Sequence, residues 1–78
     1  MNVMLRPERP HYWLGTPPTA CDGCEKPIET TFIDGQTRGA GWAKLCLCCH
    51  RQVGEGIGRG VGQLYRIQPD GQWLKTEG

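Results

Sequence analysis

No apolar run in this chain is long enough to cross a bilayer. The longest patch, Trp42 to Cys49, is broken by Lys44 and falls far short of the ~20 residues a membrane helix needs. The opening residues Met1 to Pro7 contain no apolar stretch of secretory-signal length, so we expect a reduced, cytosolic protein with no membrane partner. Charge of either sign is also in short supply. Nine Lys and Arg against eight Asp and Glu leave a formal +1, which is not the balance of a strongly basic nucleic-acid binder. Aromatic side chains are few, with three Trp, two Tyr and one Phe, and apolar residues make up only 37% of 78 residues. A single domain of this size has a core too thin to secure a fold unaided, and twelve Gly and six Pro add to the entropy lost on folding.

Phosphate-cradling motifs are missing too. Gly54, Gly56, Gly58, Gly60 and Gly62 alternate with Glu55, Ile57, Arg59 and Val61, but Arg59 and Val61 stand where a third motif Gly belongs. No Gly-Lys-Ser/Thr is present either. The tract reads as a pliable or closely packed loop, with a surface where backbone N–H groups and Arg59 meet an anion or another chain as the alternative.

Cysteine is what the chain has in quantity. Cys21-Asp22-Gly23-Cys24 is answered by Cys46-Leu47-Cys48-Cys49, with 21 residues between Cys24 and Cys46. A pair at i and i+3 sets two sulfurs on one side of a tight turn, and two such turns complete a tetrahedral S4 site with Zn–S of ~2.3 Å. The odd count of five and the paired spacing argue against a disulfide scaffold. We therefore expect one structural Zn2+ on Cys21, Cys24, Cys46 and Cys49, with Cys48 or His50 as the alternatives within the second pair. Such an ion contributes on the order of 10 kcal/mol of apparent folding free energy. With four thiolates and a dication the formal charge of +1 becomes −1.

The rest of the chain reads as an arm and a β domain. Residues 1–20, with Pro7, Pro10, Pro17 and Pro18, exclude regular helix and predict an extended arm. Its Tyr12, Trp13 and Leu14 are placed to pack on the metal-bound core or on a partner, and His11 stands alone without a ligand partner at metal spacing. Residues 21–78 form the zinc-binding β domain, comprising two hairpins, the second being the C-terminal hairpin 63–76, with the Gly-rich loop 54–62 between them. Thr30 to Ile33 is β-branched and aromatic, Asp34-Gly35 signals a turn, and Trp42 to Leu45 returns to Cys46. Phe32 and Trp42 are the expected packing residues of this first hairpin. His50 to Val53 can make one helical turn before Gly54 stops it. Gln63 to Gln68 and Gln72 to Thr76 flank Pro69-Asp70-Gly71, a hairpin turn with Gly71 left-handed, Tyr65 and Ile67 on one face and Leu64 on the other.

On these residues the chain resembles a group of short zinc-ribbon or treble-clef-like proteins encoded by tailed bacteriophages and prophages. The stretches that carry the likeness are CDGCEKPI, FIDGQTRGAGW, CLCCH, GEGIGRGVGQLY and DGQWLK, covering most of residues 21 to 75. The resemblance implies a small β-rich zinc-bound fold, metal ligands at Cys21, Cys24, Cys46 and Cys49, and a phage setting; no activity comes with it. The chain departs from the group at Glu25, where Gly is usual, and at Cys48, where Cys is not.

Four Cys close the coordination shell, whereas a catalytic zinc keeps a position open, and Cys49-His50 is the only adjacent thiol–imidazole pair. A redox Cys-x-x-Cys belongs in a βαβ context that this sequence does not supply. We therefore expect a non-enzymatic protein-interaction module that docks on a virion or host protein through Tyr12, Trp13, Arg51 and Arg59, in the bacterial cytosol or on the virion. The alternative is a zinc-ribbon nucleic-acid binder using Arg38, Arg51, Arg59, Arg66 and Lys44 beside Trp42 and Tyr65.

Overall fold

The computed structural model describes residues 9–78. The part of the expected arm at residues 1–8 lies outside the described residues.

Five elements follow in order: strand β1 (Thr31–Thr37), strand β2 (Gly41–Leu45), helix α1 (Leu47–Val53), strand β3 (Gly62–Ile67) and strand β4 (Trp73–Glu77). The two hairpins do not stand apart. β1 pairs antiparallel with both β2 and β3, fusing them into one four-stranded sheet of order β2-β1-β3-β4.

β1 is longer than its composition suggests, because Asp34-Gly35 is strand and not turn. Gly35 lies in register with Gly62, whose Cα would be only 3.1 Å from a Cβ at Gly35. Two backbones meet too closely there for a side chain, so the glycine marks a close approach. The reversal falls at Arg38–Ala40 instead, and Thr37 holds it with one hydroxyl. Thr37 Oγ1 donates to the Gly41 carbonyl at 2.8 Å and accepts from the Ala40 N–H at 3.1 Å. The second hairpin turns at Pro69-Asp70-Gly71 with Gly71 at φ 89°, and Gly71 N–H donates to the Gln68 carbonyl.

The strand period divides the sheet into two faces. Phe32, Tyr65 and Trp73 are buried on one face, with Phe32 and Tyr65 stacked at 5.1 Å and Phe32 and Trp73 tilted at 5.1 Å. Ile33, Leu45 and Leu64, also buried, alternate onto the other, where Ile33 faces both Leu45 and Leu64 in register.

The aromatic face is completed from the N-terminal arm. Trp13 N–H donates to the Trp73 carbonyl at 2.9 Å, and Lys75 N–H donates to the His11 carbonyl at 2.7 Å, so Tyr12 and Leu74 form an antiparallel bridge beside β4. Register then carries the Trp13 ring over the core, edge-on to Phe32 and to Tyr65 with centroids 5.3 Å away in each case. Its indole N–H donates to the Thr16 carbonyl, and Lys44 Nζ lies 5.6 Å from the ring centroid.

Trp42, expected in the core, is half exposed. It pairs with Gln36 on the outer strand β2, at the end of the sheet next to the Arg38–Ala40 turn and beyond the Asp34–Lys44 pair. The aromatic centre is filled by Trp13 and Trp73 before β2 reaches it. Ile67, at 37% exposed, likewise remains at the rim although it alternates to the same face as Tyr65.

Candidate metal centre

The first cysteine pair is a tight backbone loop pinned to the sheet. Glu25 N–H donates to the Cys21 carbonyl and Cys21 N–H to the Lys26 carbonyl, both at 2.9 Å. Glu25 has φ 66°, left-handed geometry that an L side chain adopts at a cost; this is the position where the resemblance led us to expect Gly. Asp22 fixes the loop to β2. Its N–H donates to the Lys44 carbonyl at 2.9 Å, while its carboxylate accepts from the Lys44 N–H at 2.8 Å. Because Lys44 is two residues before Cys46, this pair of hydrogen bonds sets the spacing between the two cysteine pairs.

The second pair begins α1. Cys46 is the N-cap, extended at φ −70° and ψ 166°, and its Sγ accepts from the Cys49 N–H at 3.4 Å. A sulfur therefore does the capping that a Ser or Asp hydroxyl or carboxylate usually does. The helix has seven residues and stops at Gly54, whose N–H donates to the His50 carbonyl.

The four sulfurs of Cys21, Cys24, Cys46 and Cys49 all lie within 4.8 Å of one another, and Cys24 and Cys46 Sγ are 3.9 Å apart. Tetrahedral ligation at ~2.3 Å requires sulfur–sulfur edges of about 3.8 Å. The cluster is thus of a size to close around one ion. Cys21 is the buried member, and its Sγ accepts from the N–H groups of Gly23 and Cys46, each at 3.3 Å. Such donors to sulfur stabilise thiolate charge and orient the ligand.

The thiols do not share charge equally. Burial pushes the Cys21 thiol up, but hydrogen bonds to Cys24, Cys46, Gly23 and Cys49 outweigh it and bring it down to about 6. Cys49 is pushed up to about 12, first by its hydrogen bond to Cys21, then by burial and the remaining thiols. Cys49 thus donates to Cys21, and Cys21 ionises the more readily of the two.

Neither alternative ligand is in the cluster. Cys48 is exposed on the outer side of α1, where its Sγ accepts from Gln52 Nε2 at 3.4 Å. His50 is buried, and its Nε2 is 3.1 Å from the Gly56 carbonyl oxygen. Gly54 packs against the face of that ring so closely that any Cβ would collide with it. His50 thus anchors the Gly-rich loop to the helix. The loop itself is closely packed at its base: Glu55 N–H donates to the Gln36 carbonyl and Gln36 N–H to the Val61 carbonyl. Gly58 is then hydrogen-bonded to Gly62 in both directions, and Arg59 between them is exposed.

Of the other residues singled out from sequence, Trp13 is committed to the core, Tyr12 is 38% exposed beside Leu74, and Arg51 is exposed on α1. Tyr65 is buried and does not offer a ring for stacking, and Arg38 Nη2 is engaged with the Gln52 carbonyl at 2.8 Å. Sequence reasoning missed Asp22 and the packing role of His50. The Asp22 clamp has no local signature, since it depends on Lys44, 22 residues away.

Trp42, Leu47 and Val53 are all exposed by 42% or more. Trp42 and Val53 border a recess of about 340 Å³ that reaches Gly23 and Leu45. No helix among the described residues is long and apolar enough to cross a membrane. Comparison of the chain with protein-family models, with curated proteins and with solved structures gives no match.

Proposed function

We propose that the chain is a non-catalytic protein-interaction module, held in shape by one structural Zn2+ on Cys21, Cys24, Cys46 and Cys49. The observation that carries this reading is the convergence of four thiols within 4.8 Å, two from the loop before β1 and two from the start of α1 after β2. An all-sulfur tetrahedral set favours zinc or iron, and a shell filled by protein ligands does its work in folding rather than in chemistry. Of the two fold classes that the resemblance implies, treble-clef-like is the better supported. The order is a cysteine loop, a β-hairpin, and then a helix that supplies the second pair from its N-cap and first turn.

The docking surface we assign is the recess itself, which the exposed side chains of Trp42 and Val53 border. An exposed tryptophan bordering an apolar recess is the arrangement that interface anchors take. With Trp13 committed to the core, the partner-facing role expected of it passes to Trp42. The partner is another protein, a virion or host protein in the phage setting that the resemblance implies, met in the bacterial cytosol or on the particle.

Native mass spectrometry of the purified chain tests the metal assignment. One zinc per chain is expected in the wild type and in Cys48→Ser, with loss in Cys21→Ser. Loss in Cys48→Ser, or an iron mass in its place, contradicts the ligand set or the metal. Affinity capture from the host cell tests the docking surface, with Trp42→Ser expected to lose a partner that the wild type retains. Equal capture by both removes the recess from the reading.

A further inference from the structure

The recess beside Trp42 lies along an open edge of the sheet. β2 is the outermost strand of the order β2-β1-β3-β4, and its register with β1 runs without a break from Ile33↔Leu45 to Thr37↔Gly41. Gln36, opposite Trp42, turns its backbone away from β2: its N–H donates to the Val61 carbonyl, and its carbonyl accepts from the Glu55 N–H. Gln36 and Trp42 are therefore a non-hydrogen-bonded pair, and the N–H and carbonyl of Trp42 point off the edge. Lys44, two residues on, points the same way and has both groups on Asp22. No hydrogen bond among the described residues takes those of Trp42. Both faces of β2 contribute to the recess, Ala43 and Leu45 from one and Trp42 from the other, so it opens along this edge. Two charges flank the exposed stretch: Asp22 against Lys44 at one end, and Arg38 in the turn before Gly41 at the other.

We propose, with the docking reading above as the premise, that the partner enters as a short extended peptide paired antiparallel to β2 at Trp42, with an apolar side chain in the recess, a cation facing Asp22 and a carboxylate facing Arg38. The peptide residue opposite Trp42 exchanges N–H and carbonyl with it, as an added strand does. Its two neighbours then face the side of β2 that carries Ala43 and Leu45, where their side chains meet the recess. Antiparallel pairing carries the peptide from Asp22 towards Arg38, so the cation precedes the apolar residue and the carboxylate follows it. A second folded copy suits the edge less well. Only Gly41 to Ala43 is open between the Asp22 loop and the hairpin turn, and two-fold pairing about Trp42 would set the loop of each copy against the turn of the other. A flexible segment can leave the edge at both ends.

The test is fluorescence anisotropy on the zinc-loaded full chain, with a labelled peptide of the order lysine, leucine, threonine, valine, glutamate as probe. Saturable binding is expected. N-methylation of the threonine amide, which donates to the Trp42 carbonyl, should weaken it about tenfold, while N-methylation of the leucine or valine amide, which faces solvent, should leave it in place. That scan is made on the wild-type chain and depends on no variant. Val53→Lys, at the exposed rim of the recess, and exchange of the peptide's lysine and glutamate should each weaken binding as well; circular dichroism and zinc content establish that the variant is folded. Absence of saturable binding, an amide scan without that alternation, or undiminished binding by Val53→Lys or of the charge-exchanged peptide overturns the proposal. So does dimerisation in sedimentation that excess peptide reverses, which would give the edge to a second copy. A cellular partner lost in Trp42→Ser but not displaced by excess peptide overturns this inference and leaves the docking reading in place, whereas a partner held equally by Trp42→Ser removes that reading itself.

Discussion

Replacing Trp13 with alanine should cost this domain about 4 kcal/mol, although the residue lies in a proline-rich arm outside the cysteine framework. The indole makes edge contacts with Phe32 and Tyr65, both at 5.3 Å, and lies under Lys44 Nζ at 5.6 Å. Burying even ~150 Å² of it contributes roughly 4 kcal/mol at ~25 cal/mol/Å², as an upper estimate. The two aromatic pairs add about 1 kcal/mol each, and the cation–π contact on the order of 0.5 kcal/mol. Partial exposure and relaxation of the cavity take some of this back, which leaves about 4 kcal/mol. For a domain of this size that corresponds to a fall in Tm on the order of 20 °C. The measurement is thermal and urea unfolding followed by circular dichroism, at a buffered free-zinc concentration so that metal linkage is equal in both proteins. Trp13→Phe should fall between wild type and alanine, since it keeps a ring at the same site. A loss below about 1 kcal/mol in Trp13→Ala, with zinc content unchanged, would refute the claim that the arm completes the core.

Three further outcomes follow from the metal centre and its supports. Gly54→Ala should destabilise the domain by on the order of 2 kcal/mol in urea titration, because its methyl collides with the His50 ring; pairing it with His50→Ala should restore part of the loss. Glu25→Gly should raise the urea midpoint by the equivalent of up to about 1 kcal/mol, by relieving the left-handed strain at φ 66°; a lower midpoint would contradict it. Zinc binding at pH 7.4, followed by calorimetry in buffers of different ionisation enthalpy, should release fewer protons than there are thiolate ligands. Cys21, at about 6, is already ionised there, whereas Cys49, at about 12, must give up its proton. The sign follows directly: lowering pH through about 6 protonates Cys21 as well, so proton release rises and zinc affinity falls more steeply below that point.

The cysteine cluster was readable because it is local. Each cysteine pair is set by a spacing of three residues, and hairpin composition on either side of Phe32 and Tyr65 is a short-range pattern. Cys46 and Cys49 were preferred over Cys48 on spacing alone, and the sulfur cluster consists of the preferred set. Where neighbours in space mattered, local signals misled. Asp34-Gly35 has the composition of a turn, yet Gly62 and Ala43 on either side hold it in strand. Trp42 has the composition of a core residue, yet it stands at the outer strand with the centre already full.

Chemistry belonging to neighbours in sequence was therefore settled by the order of amino acids: which thiols can form pairs, where glycine and proline interrupt, and that so lean a core needs a metal-sized brace. The path of the chain through space decided the rest. It brought Trp13 across to roof Phe32 and Tyr65, and set Asp22 against Lys44 so that the two cysteine turns face each other. It also turned His50 inward beneath Gly54 and away from the sulfurs. Each of those contacts joins segments whose own residues are compatible with several conformations, and only the register of one four-stranded sheet selects among them.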